Sequence, residues 1–150
     1  MRDHARSIEN LLYTYAERID AGDLPGVADL FRHGRILPSP DAPREATFEG
    51  AAQVLAMYES STRIYEDGTP RTRHLKTNAI VEVADDEKTA KARSYYTVLQ
   101  RTEDLPLQPI ISGHYHDTFH LVDGQWCFET RTMFIDLIGD LSQHLLYDLG

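Results

Sequence analysis

The hydrophobic period of this chain changes once, near Asp67-Gly68-Thr69-Pro70, from about 3.6 residues to 2, and few folds accommodate that change. Upstream of it, Ile8, Leu11, Leu12, Tyr15 and Ile19 share one helical stripe and predict a helix over Met1–Ala21, stopped by Gly22. Leu24 to Phe31 predicts a short second helix, with Pro25 in its first turn and Asp23 as its cap. Pro38, Pro40 and Pro43 restrict the next stretch to edge strands around Arg35–Leu37 and Thr47–Phe48. Gly50 to Tyr65 predicts a third helix with Val54, Leu55, Tyr58 and Ile64 facing inward.

Downstream, Leu75, Thr77, Ala79, Val81 and Val83 alternate and predict the inner face of a first long strand. Strict alternation turns His74 to the opposite face, an orientation that a β-bulge would reverse. Ala90, Ala92, Ser94, Tyr96 and Val98 mark a second strand, Ile111 to Val122 a third, and Gln125 to Phe134 a fourth across an Asp123-Gly124 hairpin turn. Asp140 to Leu149 predicts a short terminal helix with Leu141, Leu145 and Leu149 on one face. Three helices followed by an antiparallel meander make an α+β domain over residues 1–150, and a sheet covered by helices leaves one end open to a ligand.

Composition narrows the class. At 150 residues the chain can bury most of its apolar surface in one domain, and 41% hydrophobic with 26% charged residues is a globular mixture. No apolar run approaches the ~20 residues of a membrane span, and no charged-then-apolar leader is expected. The one cysteine, Cys127, offers no internal disulfide, which fits a reducing, cytoplasmic compartment. A net charge of −9 opposes nucleic acid or an anionic membrane as partner.

Four strings recur in a particular order. Tyr15-Ala16-Glu17-Arg18-Ile19-Asp20-Ala21-Gly22-Asp23 places Asp-x-x-Asp after a tyrosine at the end of the first helix. Arg73-His74-Leu75-Lys76-Thr77-Asn78 opens the first long strand with His-x-x-x-Asn. Ser112-Gly113-His114-Tyr115-His116-Asp117 and Asp123-Gly124-Gln125-Trp126 follow, with Arg131 five residues past the tryptophan. From Ile8 to Leu146 the chain thus resembles the nuclear-transport-factor-2-like (NTF2-like) superfamily, and within it the SnoaL-like and scytalone-dehydratase-like enzymes. The resemblance implies three N-terminal helices on a strongly curved mixed or antiparallel sheet. It implies a cofactor-independent dehydratase or isomerase acting on a small, apolar, cyclic carbonyl or hydroxy compound.

By that resemblance the catalytic pair is Asp20 and His74. An imidazole titrates near ~6.5 and can accept a proton at neutral pH. A carboxylate on its other nitrogen fixes the tautomer and stabilises the imidazolium. Arg131 would stabilise developing negative charge. Tyr15, Tyr58, Tyr96, Tyr115, Asp117 and Asn78 are the expected substrate contacts, and a buried Asp117 requires a partner such as Arg131 or His74. No cofactor and no metal are called for.

Two other readings compete. The same superfamily contains non-catalytic ligand-binding and assembly modules, similar to the small subunits of ring-hydroxylating dioxygenases. The stripe His114, His116 and His120 could instead chelate a metal, although His116 and His120 stand about 13 Å apart on a regular strand. Separation of Asp20 from His74 would favour the module, and their contact the enzyme. An outer face with Tyr95, Leu99, Ile110, His114 and His116 fits a homodimer or homotrimer.

Overall fold

Asp3 starts the first helix, α1 (His4–Asp20), by accepting the Arg6 backbone N–H at 3.0 Å in the computed structural model, which describes residues 2–147. Asp23 does the same for α2 (Leu24–Asp29), accepting from the Gly26 backbone N–H at 2.9 Å. Two short strands, β1 (Arg35–Leu37) and β2 (Phe48–Glu49), precede α3 (Gly50–Ser61). Four long strands follow: β3 (Thr72–Val83), β4 (Thr89–Gln100), β5 (Gln108–Val122) and β6 (Gln125–Ile138).

The sheet runs β2-β1-β6-β5-β4-β3 and is antiparallel except where β1 lies parallel to β6. Three helices on a six-stranded mixed sheet that does not close make an α+β fold, as the change of period predicts. Ile8, Leu12 and Val27 from the helices and Phe31 from the turn after α2 meet Phe119 and Phe128 from the sheet in the main core, with Phe31 stacked on Phe128 at 4.7 Å. Among the described residues no helix is long and apolar enough to cross a membrane.

Two of the sheet's register slips decide which side chains face the helices. The β3–β4 register slips between Thr77 and Ile80, where Asn78 adopts a positive φ of 37°. Beyond the slip Ala79, Val81 and Val83 pack toward the core; before it Thr72, His74 and Lys76 do, while Leu75 and Thr77 turn outward. The expectation that Leu75 and Thr77 face inward is therefore corrected, because one extra residue moves every preceding side chain to the other face. A second slip lies opposite Thr118 and Phe119, where Glu129 is the extra residue of β6. It exchanges the inward set Trp126 and Phe128 for Arg131 and Met133.

Three further expectations change. α3 stops at Ser61, since Thr62 is extended (φ −107°, ψ 125°), and Ile64 is left 40% exposed. A slip between Val98 and Leu99 turns Ile110 into the core, away from the outer face. Residues 141–147 form turns and a bridge between Leu145 and Thr62 in place of a helix. Met1 and Leu149, assigned to helices from the sequence, lie outside the described residues.

Candidate active site

Gly22, at φ +77°, brings the end of α1 against the turn before β3: a Cβ there would stand 1.9 Å from the Gly68 carbonyl oxygen. This close approach delivers Asp20 to the first residues of β3. Its Oδ1 accepts from the Thr72 hydroxyl at 2.9 Å and bonds His74 Nδ1 at 2.6 Å, while Oδ2 accepts the His74 backbone N–H at 2.8 Å. A carboxylate only accepts, so Nδ1 carries the proton and Nε2 is left as the ring's acceptor. Burial, outweighing Asp20, holds the His74 imidazole below its usual value near 6.5, with Lys76 and Arg131 adding to the depression. At neutral pH His74 is therefore an uncharged base.

His74 opens onto a cavity of about 420 Å³ between the helices and the sheet, a size typical of small-molecule sites. Its wall is apolar at Ile19, Val98, Ile111 and Met133, and polar at Tyr15 and Tyr58. The hydroxyls of Tyr15 and Tyr58 are hydrogen-bonded to each other, and burial pushes the Tyr58 phenol well above 10. That phenol stays a donor at any physiological pH. A larger groove, about 610 Å³, runs past Arg71, Arg73 and Arg101 at the strand ends, but neither Asp20 nor His74 lines it.

A SnoaL-like domain model matches residues 3–132. The chain belongs to the SnoaL-like domain family. No curated protein matches the sequence. Among solved structures it is similar to a variant of Rv3472, a protein of unknown function from Mycobacterium tuberculosis (24% identity, 89% of this chain and 72% of that one, TM-score 0.69). It is similar to a candidate scytalone dehydratase from Novosphingobium aromaticivorans (23% identity, 89% and 84% covered, TM-score 0.68). A third, an NTF2-like protein with a cystatin-like fold from the same organism, shares 18% identity over 87% and 80% of the chains with a TM-score of 0.68. At these identities the likeness is one of fold, which is NTF2-like. Membership supports a small-molecule enzyme or binding module.

This SnoaL-like domain brings some of the sequence-expected residues together and separates others. Asp20 and His74 are in contact, and Tyr15, Tyr58, Tyr96 and Tyr115 line the cavity. Asn78 does not: it is exposed on the bulge, and its Oδ1 accepts from the Thr77 hydroxyl. Its value lies in the backbone, because asparagine tolerates the positive φ that turns His74 inward. Arg131 and Asp117 also leave the wall. Both are fully buried in a bidentate pair (Nε–Oδ1 2.8 Å, Nη2–Oδ2 2.9 Å), with the guanidinium 3.7 Å from the Tyr115 ring centre. Arg131 is not among the residues that line the cavity and packs instead against the rings of Tyr115 and Tyr15, which do line it. His114 and His116 lie on the outer face, where His114 bonds Asp136 at 2.7 Å. Among the described residues no three His, Cys, Asp or Glu are grouped to hold a metal ion.

Two polar residues escaped the sequence reading. Lys76 shares the face of His74, and its Nζ is buried without a hydrogen-bond partner, 3.8 Å from the Tyr115 ring centre. Burial, then Arg131, holds this amine well below its ordinary value near 10.5. Between that lowered value and 10.5 the unfolded chain binds more protons than the folded one, so stability rises with pH across the interval. Lys76→Met removes that rise. At pH 7 the variant is expected to be at least as stable as the wild type, with a lead that shrinks by pH 10. Urea midpoints of both proteins at the two pH values check this; a pH-independent difference would contradict it. The second residue, His144, carried no signal, since the tail offered only its leucines.

Proposed function

We propose that this protein is a cofactor-independent lyase, a dehydratase of a small cyclic hydroxy-carbonyl compound, with isomerisation of the same compounds as its nearest variant. The observation that carries the reading is the hydrogen bond of Asp20 to His74 Nδ1 at the wall of a largely apolar cavity. His74 Nε2 takes a proton from the carbon next to the carbonyl, and the C–H electrons pass toward the carbonyl oxygen. Of the Tyr15 and Tyr58 hydroxyls, bonded to each other, the one that accepts keeps its own O–H to donate to that oxygen as its charge grows. Collapse of the enolate forms the carbon–carbon double bond and expels the hydroxyl on the neighbouring carbon. The imidazolium returns its proton to that oxygen, water leaves, and His74 is neutral again. Asp20 stabilises the imidazolium in between. Returning the proton to a different carbon would give an isomerase from the same groups.

The test is a panel of cyclic β-hydroxy ketones, followed by the absorbance of the conjugated product. The reading expects release of water by the wild type and none above background by His74→Ala. Tight binding of these compounds by the wild type with no turnover would instead identify a ligand-binding module.

A further inference from the structure

His144 stands on the turn that follows β6, and that turn is tied down on several sides. The Arg63 backbone N–H donates to the His144 carbonyl at 2.8 Å, the Leu146 N–H to Ser61 at 3.0 Å, and the Gln100 side-chain amide to Gln143 at 3.0 Å. The Tyr65 hydroxyl donates to the same Gln143 carbonyl. Held in this way, the imidazole of His144 is 8% exposed, lines the cavity, and lies 6.4 Å from the His74 ring between centroids.

A neutral imidazole has one donor and one acceptor to satisfy. The Nδ1 of His144 is buried with no partner. The cavity it lines is apolar at Val98, Ile111, Leu141 and Leu145 and carries hydroxyls at Ser60, Ser61 and Thr62. A buried donor left unsatisfied costs more than a buried acceptor, so the proton belongs on Nε2, the nitrogen that is not closed off and is left to meet a group in the cavity. Burial, and then the nearby His74, push this imidazole down to about 4, so near pH 7 it offers hydrogen bonds without carrying charge. One oxygen hydrogen-bonded to two rings at once needs their bonding nitrogens within about 6 Å of each other, and the two ring centres stand 6.4 Å apart.

We propose that His144 is a specificity-determining residue of the cavity: it hydrogen-bonds the hydroxyl oxygen of the bound compound and holds it beside His74. The assignment rests on the reading of His74 as the base and adds the group that selects a hydroxylated ligand over its deoxy counterpart. A site built around a hydrogen bond discriminates strongly against a ligand that lacks it.

The experiment compares two stable probes, 4-hydroxy-1-tetralone and 1-tetralone, by calorimetric titration of wild type, His144→Phe and His144→Gln. The wild type is expected to bind the hydroxylated probe at least about tenfold more tightly, which is a single good hydrogen bond. His144→Phe is expected to bind both probes alike, and His144→Gln, whose amide restores a donor and an acceptor, to regain part of the preference. Equal affinities in the wild type, or a preference that survives in both variants, would overturn the role of His144 and leave the His74–Asp20 mechanism standing. Binding of neither probe by the wild type would count against both.

Discussion

Asp117→Ala is expected to lower stability by about 3–5 kcal/mol, because it leaves the Arg131 guanidinium buried without its counter-charge. Asp117 and Arg131 are both fully buried, Nη1 of Arg131 has no partner, and the remaining neighbours of the cation are the rings of Tyr115, Tyr15 and Phe128. A domain holds only about 5–15 kcal/mol in total, so the variant should unfold some 10–15 °C lower. Replacing both partners, Asp117→Ala with Arg131→Met, is expected to recover most of the loss, since a buried pair is close to neutral against apolar side chains of similar volume. Thermal melts of the three proteins decide the point. A single variant as stable as the wild type would mean that the pair is not closed to solvent.

His74→Ala is expected to reduce turnover by about 100- to 10,000-fold, the contribution of a positioned general base. Asp20→Asn should come close to the same loss with the imidazole still present, because a side-chain amide can hold Nδ1 unprotonated and place the ring proton on Nε2, the atom that must accept. The pH profile separates the two causes. The wild-type base is held below 6.5, so activity should persist through pH 6.5 and fall away only as acid protonates the ring. Asp20 raises that value through its hydrogen bond and charge; its removal moves the acid limb of the residual activity to still lower pH. Stability follows the same sign. His74 and His144 both bind protons more readily in the unfolded chain, so the fold weakens as pH drops from about 6.5 toward the folded value of about 4 at His144.

How far the sequence could be read depends on which interactions are local. Helix caps at Asp23, the turn at Asp123-Gly124 and the inward set of β4 rest on neighbours in the chain, and all are legible there. The two bulges are not, because a register slip exists only between paired strands, and each inverts the faces on one side of it. That is why Leu75 looked like core and why Lys76 passed unnoticed beside His74. The His-x-x-x-Asn spacing gains a physical reason from the same fact: Asn78 makes the bend that His74 needs. Arg131 was legible as the partner of Asp117, yet only packing could show that tyrosine rings separate it from the cavity. His144 depends on a tail that returns to Ser61 and Arg63, contacts of long sequence separation with no periodic signature.

The central claim is that His74 faces the cavity as a neutral base with its Nδ1 proton held by Asp20. Long-range proton–nitrogen NMR spectra of the histidine side chains, recorded from pH 5 to 8, measure this directly. At pH 7 the His74 ring should show a protonated Nδ1 and a bare Nε2, gaining charge only at acid pH below 6.5. A ring protonated on Nε2, or still charged at pH 7.5, would contradict the account.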